Sequence, residues 1–526
     1  MRSDRKDELR GGHAEESALR VRRSATIGAL GGGESWTRIG IPRYSSCNVA
    51  STHRTQTLDR TWPWVVAAVG IVLAGLAWVL LPAIEIRGGD PRETGSIAEL
   101  EALSERSDLN VLFILIDTLR ADHLGSYGYE RDTSPNLDLL ASRGVRFDRN
   151  LAQSSWTKAS MASLWTGLNP HRTGVTRFKH GISEDAQMPA ETLREAGYRT
   201  VGLWRNGWVD PTFGFGQGFD VYHRPITAGA PDDVKRKNPT MKTNLTDNSA
   251  ILAAEEFLRV YGDERWFLYL HLMDVHEYTY DEESALFGSD YEAVYDNSIR
   301  RVDHLVGQFL VHLAEEGYLE NTLIVIGSDH GEAFRERGYE GHARHVYRES
   351  TEVPLILSFP FVLEPGVVIA SRTRNVDIWP TVFDLLGLPV PEAVDGVSLV
   401  PEIRASLQGK ALPAGDREAI AHIDGTWGRR DVDPLDAVAV AEGPFRFVRK
   451  ATLAGGLVEE LFDVRSGNGG EMENVIEENE EVAERLRSRA IDYLENSETP
   501  WSEETPEVEL DEMRLNLLRA LGYKLD

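Results

Sequence analysis

A single cysteine, Cys47, stands among 526 residues, so the chain can form no intrachain disulfide and no cysteine cluster for zinc. Cysteine usage therefore carries no information about compartment. Basic residues are also in short supply: 56 Lys and Arg face 84 Asp and Glu, for a net charge of −28. The imbalance is not uniform. Residues 1–60 hold 11 basic against 7 acidic side chains, whereas residues 61–526 hold 45 against 77. A body this acidic lacks the basic footprint that a phosphate backbone requires, which excludes nucleic acid as the main partner. No internal repeat is evident.

Long apolar runs are scarce too, with one exception. Residues 62–84, WPWVVAAVGIVLAGLAWVLLPAI, are 23 uncharged positions in a row, enough to cross a hydrocarbon layer of roughly 30 Å. Trp62, Trp64 and Trp78 lie toward its ends, where aromatic belts sit. The run exceeds the roughly 7–15 residues of a cleaved signal peptide and begins late, so it reads as a membrane anchor. Arg38, Arg43, Arg54 and Arg60 precede it with few acids nearby. The positive-inside rule then leaves residues 1–60 in the cytoplasm and the rest outside it, a single-pass arrangement. The first 60 residues mix Gly, Ser, Arg and Thr without helical or strand periodicity and read as disordered. Residues 85–108 read as a linker.

What is present beyond that point is an ordinary globular composition, 41% hydrophobic and 27% charged. Length alone suggests about two to four domains. VLFILI, within residues 110–129, is an apolar run of the kind buried on both faces of a parallel sheet, and it ends in Asp117. WFLYLHLMDVH, residues 266–276, repeats the pattern and ends in Asp274 and His276; TLIVIGSDHGE, residues 322–332, ends in Asp329 and His330. Helical stretches at 191–198 and 298–318, each with a glycine stop signal, separate the strands. Strand and helix alternate, so the fold class is α/β. Catalytic groups of open α/β sheets gather at the carboxyl ends of strands. Any one strand-end aspartate serves equally well as a loop hydrogen bonder. Three strand ends, with His342 and His345 close behind in GHARHVYRE, point instead to a metal site. Carboxylate oxygens with imidazole nitrogen favour Zn²⁺ or Mn²⁺ over Ca²⁺ or Mg²⁺.

The chain also resembles the sulfatase family of the alkaline phosphatase superfamily, from about residue 109 to about residue 475. The pieces that carry the likeness fall in family order. They are NVLFILIDTLRADHLGSYGY, TSPNLDLLASRGVRFDRNLAQSSWTKASMASLWTGLNPHRTGV, FLYLHLMDVHEY, SDHGEAFRERGYEGHARHVYRES, VPLILSFP, VDIWPTVFDLLGLPVPEAVDGVSL and ELFDVRSGNGGEMENV. The resemblance implies a large mixed, mostly parallel sheet flanked by helices, with a smaller C-terminal antiparallel sheet packed by a helix. It places a catalytic domain at 109–390, a C-terminal subdomain at 391–475 and an acidic, partly helical tail at 476–526. The tail's MRLNLLRALGY, 513–523, has the helical spacing of a segment that docks on a surface.

The resemblance puts the nucleophile at Thr157, ten positions before Gly167. True sulfatases carry Cys or Ser there, within C/S-x-P-S-R, and oxidise it to formylglycine. This chain has T-K-A-S-M, with Met161 in place of the arginine. Threonine cannot form that aldehyde, because its β-carbon already bears a methyl group, so no formylglycine is expected. Phosphodiesterases, phosphonate hydrolases and lipid-headgroup transferases of the superfamily look similar in using a metal-bound threonine. The implied metal ligands are Asp117, Thr157, Asp329 and His330. His276 and His342 stand where the family contacts ester oxygens or assists the leaving group, and Arg344 takes the place of a second family histidine, which leaves His345 ambiguous. Lys158 and Arg205 are candidate cationic contacts to the anion, though Lys158 reads equally as a surface lysine. Asp274 or His276 would have to turn inward to hold a second metal. His271 reads as a strand residue, and Thr118 occupies a place where the family often has a second acid. Thr157 also reads as a helix N-cap, a role compatible with nucleophilicity. The expected partner is an anionic ester. Three functions stay open: an ester hydrolase, a phospho-headgroup transferase, and an inactive binding protein of the same fold.

Overall fold

The structure, a computed structural model, describes residues 90–225, 246–412, 417–429, 433–465, 471–501 and 504–520. The expected anchor at 61–84 and the segment before it lie outside the described residues. Among the described residues no helix is long and apolar enough to cross a membrane.

The strand pattern read from the sequence is realised in β1 (Asn110–Ile116), which is buried along its whole length. Alternation explains how both faces are covered. Val111, Phe113 and Leu115 enter one core cluster, and Leu112, Ile114 and Ile116 enter a second on the opposite face. The main sheet continues with β2 (Val145–Leu151), β3 (Arg199–Leu203), β4 (Val221–His223), β5 (Trp266–Leu272) and β6 (Thr322–Gly327). A small pair, β7 (Ala333–Phe334) and β8 (Glu340–Gly341), stands apart from it. β9 (Glu352–Val353), β10 (Leu355–Ser358) and β11 (Val367–Arg374) complete the nine strands, in the order β11-β2-β10-β6-β1-β5-β3-β4 with β9 on β2. β6, β1, β5, β3 and β4 run parallel, while β10 is antiparallel to β6 and β2. The sheet is therefore mixed and mostly parallel, as the resemblance implied.

Five helices position the site or its supports. α1 (Pro135–Ser142), α2 (Thr157–Thr166), α3 (Asp247–Tyr261), α4 (Tyr291–Glu315) and α5 (Ile378–Leu386) are joined to the sheet by the two clusters. The sequence pattern places α4 at 298–318; the helix begins seven residues earlier because the Asp290 side chain caps it by accepting from the Ala293 N–H at 3.0 Å. α2 is buried on all ten residues. Its anchor is Trp165, stacked on Trp379 of α5 with centroids 5.2 Å apart and set edge-on to Tyr269 of β5 at 4.9 Å. Trp165→Ala is expected to cost about 3–5 kcal/mol, read as a fall in the urea midpoint at constant m-value. A loss under about 1 kcal/mol would mean the aromatic stack does not hold α2.

The smaller sheet is antiparallel: β12 (Ala419–Asp424), β13 (Asp436–Glu442), β14 (Phe445–Ala451) and β15 (Leu457–Asp463). α6 (Glu480–Asn496) buries Ala483, Leu486, Ala490 and Tyr493 against Ile420, Val438, Val440, Phe447 and Leu461 of that sheet. The spacing of those four residues, three to four apart, is one helical face. α7 (Glu512–Ala520) sends Leu518 into the main core.

Candidate active site

The carboxyl ends of β1, β5 and β6 converge. Asp117 follows β1, and its N–H donates to Leu272 O at 3.0 Å. Thr118 then adopts φ 61°, a left-handed conformation that a β-branched residue rarely takes. The turn directs the Thr118 N–H at Asp329 Oδ1, 3.3 Å away, and its carbonyl accepts from Tyr295 Oη at 2.7 Å. The backbone N–H of this position thus fixes the acid of β6, and where the family often has a second acid the Thr118 hydroxyl donates to Asp117 O at 2.6 Å.

Thr157 is the first residue of α2, not its cap. Trp156 holds the cap position and contributes no side-chain bond. The Thr157 hydroxyl instead lies 3.0 Å from His330 Nε2 and 3.3 Å from Asn206 Nδ2. The helix-cap reading of Thr157 therefore gives way to a side chain turned toward the strand ends.

Asp117, Asp329 and His330 present one ligand atom each within 4.8 Å of one another, all buried. Their surroundings fit a cation. Asp117 Oδ1 and Asp329 Oδ2 are buried and have no hydrogen-bond partner, an expensive state for two neighbouring carboxylates. Burial and the charge of Asp117 push the Asp329 carboxyl up to about 7. Burial opposes ionisation of Asp117 as well, but His276, His271 and His330 outweigh it and hold that carboxyl below the usual range. His330 Nδ1 donates to Gly331 O at 3.0 Å, which leaves Nε2 unprotonated and facing the carboxylates, the tautomer a ligand needs.

Two histidines flank this group. The His342 ring stacks on His330 with centroids 4.6 Å apart and lies 5.0 Å from the His276 ring. His342 Nδ1 is 3.3 Å from both oxygens of Glu332, and that carboxylate overcomes the effect of burial to raise the imidazole's affinity for protons. His276 has both ring nitrogens sealed from solvent without a hydrogen-bond partner, and burial lowers its proton affinity. One imidazole is thus biased toward the charged form and its neighbour toward the neutral form.

Three sequence candidates are placed elsewhere. The Lys158 ammonium donates to Phe178 O at 2.7 Å and sits 3.6 Å from the centre of the Phe213 ring. It is fully buried, not a surface lysine, and the helix turns it about 100° from Thr157, so that its ammonium is engaged by Phe178 O and the Phe213 ring. Arg205 is bound by Asp247 at 2.5 Å, Asp274 at 2.8 Å and Glu277 at 2.7 Å. Asp274 also accepts from Arg301 at 3.1 Å, so its carboxylate belongs to this ion-pair cluster and not to a second metal position. Arg344 is exposed. Arg205→Met would strand the buried acids Asp247 and Asp274, and about 3–5 kcal/mol of stability is expected to go with it. Urea unfolding checks this; an unchanged midpoint would show the cluster to be energetically neutral.

Two functional neighbours, His271 and Glu332, escape a reading of the sequence, and a third, Asn206, is marked there only by the likeness of LWRNGW, residues 203–208, to a Lys-Trp-His element of the sulfatase family. His271 Nε2 lies 3.0 Å from Asp117 Oδ2 and its Nδ1 lies 2.7 Å from Tyr269 Oη. Asn206 Nδ2 donates to Asp117 Oδ2 at 2.7 Å. Glu332 orients His342. For the first two the one available signal is His271 itself, a polar residue inside an otherwise apolar strand.

Residues 109–388 match the family model described as Sulfatase. The chain is 23% identical over 410 residues to the N-acetylglucosamine-6-O-sulfatase of Bacteroides thetaiotaomicron, across 59% of this chain and 73% of that protein. It is 24% identical over 389 residues to an arylsulfatase of Clostridium perfringens, across 55% of this chain and 77% of that one. Among solved structures, a phosphonate monoester hydrolase from Silicibacter pomeroyi superposes with a TM-score of 0.56 at 22% identity, across 74% of this chain and 96% of the other. With its strand-end acids, its paired sheets and more than half its length matched by that model, the chain is an ester hydrolase that belongs to the sulfatase family.

Proposed function

We propose that the chain is a metal-dependent hydrolase of sulfate- or phosphate-type esters in which Thr157 is the nucleophile. The observation that carries this reading is the Thr157 hydroxyl, 3.0 Å from His330 Nε2 and beside two buried carboxylates with unpartnered oxygens. A divalent cation held by Asp117, Asp329, His330 and Thr157, with Zn²⁺ or Mn²⁺ favoured by the donor set, would lower the hydroxyl pKa and offset charge on the transferred group. The chain's own groups supply the rest. Thr157 Oγ1, its proton given up to solvent, attacks phosphorus or sulfur in line, and the bond to the ester oxygen breaks with its electron pair on that oxygen. His342, biased toward its charged form by Glu332, would give that oxygen a proton. Water then displaces Thr157 from the transferred group, with His276 as the neutral acceptor of its proton. Asn206 and His271 hold Asp117 from behind throughout.

The uncharged run at 62–84 supports a single-pass anchor with the catalytic domain outside the cytoplasm. Full-length protein should then sediment with membranes and leave them only in detergent, and release by salt alone would argue against the anchor. The chemistry is tested by assaying the protein in parallel on p-nitrophenyl sulfate, p-nitrophenyl phosphate, bis-p-nitrophenyl phosphate and a phenyl phosphonate ester. Turnover of the phosphodiester or phosphonate, lost in Thr157→Ala, would assign phosphoryl-type chemistry. Sulfate turnover lost in the same variant would show that an unmodified threonine suffices. Turnover of none of the four would overturn the reading.

A further inference from the structure

His342 and Arg344 stand on either side of Ala343, and the two are sent to different places. Ala343 has φ 58°, its N–H donates to Ser155 O at 2.8 Å, and its carbonyl accepts from Trp427 Nε1 at 3.1 Å. This pinned left-handed residue keeps His342 against His276 and His330 while Arg344 lines a cavity of about 510 Å³. The cavity lies between the 337–347 segment and β14 and β15 of the small sheet.

Its charge runs against that of the chain. Arg337, Arg344 and Lys450 line it, and Glu460 is the one acid among the described lining residues. Glu460 is already occupied by the Tyr347 hydroxyl. Arg337 is likewise occupied: Nε is 3.2 Å from Glu349 Oε1, and the guanidinium covers the Tyr347 ring at 4.0 Å. Arg344 and Lys450 have no carboxylate partner among the described residues, and the Lys450 ammonium rests only over the Tyr339 ring at 4.7 Å. Two uncompensated cations in one concave site are unexpected in a protein of net charge −28. The cationic lining is felt nearby: burial first, then Lys450 and Arg337, push His345 down to about 4. Tyr339 and Tyr347 give the walls flat apolar faces with polar tips, suited to a ring-bearing group.

From Arg344 and Lys450, which have no carboxylate partner among the described residues, in a tyrosine-walled cavity that begins two residues from His342, we infer that this cavity receives a second anionic group on the organic part of the substrate. The substrate class is therefore a polyanionic, ring-bearing ester, one anion held at Thr157 and another between Arg344 and Lys450. The inference rests on the ester-transfer reading of the main site. Charge-assisted hydrogen bonds from Arg344, with the mobile ammonium of Lys450 as a second point charge, would hold a sulfate, phosphate or carboxylate alike.

The test is calorimetric titration of the full chain with a trisulfated heparin-type disaccharide, whose sulfates span two rings. The double substitution Arg344→Ala with Lys450→Ala is expected to weaken Kd about 10-fold or more with an unchanged melting temperature, and Arg344→Lys with Lys450→Arg to restore most of the affinity. Wild-type protein that does not bind the disaccharide, or a double variant that binds it as tightly as wild type, would overturn the inference. So would a charge-preserving pair as weak as the alanine pair, because loss of packing alone would then explain the effect. Failure of the hydrolase reading looks different: Thr157→Ala would keep its turnover, while the binding contrast between the two double variants would still be read.

Discussion

Thr157→Ala is expected to lower kcat by about 10⁴-fold or more, with the fold and metal-free melting temperature close to those of the wild type and the cation held by the three remaining ligands. The size follows from what the hydroxyl alone provides. Among the described residues Thr157 Oγ1 is the hydroxyl that meets His330 Nε2, whereas Ser160 Oγ donates to the Asp329 carbonyl. The expected mildness of the structural effect follows from the position. Thr157 is the first residue of α2 and makes no cap, so alanine there removes no helix hydrogen bond and favours the helix slightly. Thr157→Ser separates chemistry from packing. It keeps the oxygen, loses one methyl group, and should retain turnover within about tenfold, whereas a purely structural role would rank the two variants by volume. Single-turnover measurement of p-nitrophenol release distinguishes a lost chemical step from slow product release. Activity surviving in Thr157→Ala would end the nucleophile assignment, whatever the serine variant does.

What the sequence reveals of this site is what lies along the chain, and what it hides depends on which strand lies beside which. β1, β5 and β6 are legible because each is a mostly apolar run followed within two residues by an acid, the pattern of a strand buried on both faces. Asp117, Asp329 and His330 sit at those ends, and the structure brings them within reach of one another. His271 is legible only as an oddity. Its service to Asp117, 154 positions away, needs β5 to lie parallel to β1 with Leu115 opposite His271, a pairing that no local pattern encodes. The same holds for Arg205. A cation in a loop looks available to a substrate anion until Asp247, Asp274 and Glu277, each more than 40 positions away, surround it. Lys158 fails for a different reason. Adjacent residues on a helix point about 100° apart, so the neighbour of a nucleophile is directed away from the site that the nucleophile faces.

The larger sheet thus delivers a pair of acids whose unpartnered oxygens lack a counter-charge, and removal of metal should expose that cost. Wild-type protein in excess Zn²⁺ or Mn²⁺ is expected to melt about 4 °C higher than in chelator. A cation present at about a thousand times its Kd stabilises the folded state by about 4 kcal/mol. The unfolding entropy of a unit this long, about 2 cal/mol/K per residue, converts each kcal/mol to about 1 °C. Asp329→Asn separates this from nonspecific salt effects, because it alters the two conditions in opposite directions. In chelator the variant should melt at or above the wild type, since one of two adjacent buried carboxylates has become neutral and the Thr118 N–H still has an amide oxygen to meet. In metal it should gain nothing, having lost a ligand charge. The two melting curves therefore cross: wild type above the variant with metal, and at or below it without. Scanning calorimetry of both proteins in both buffers reads this directly. A wild type indifferent to chelator, or a variant that keeps the full metal-dependent rise, would mean that Asp117, Asp329 and His330 do not hold the ion. The unpartnered oxygens would then be a cost of the fold with no cation to offset it.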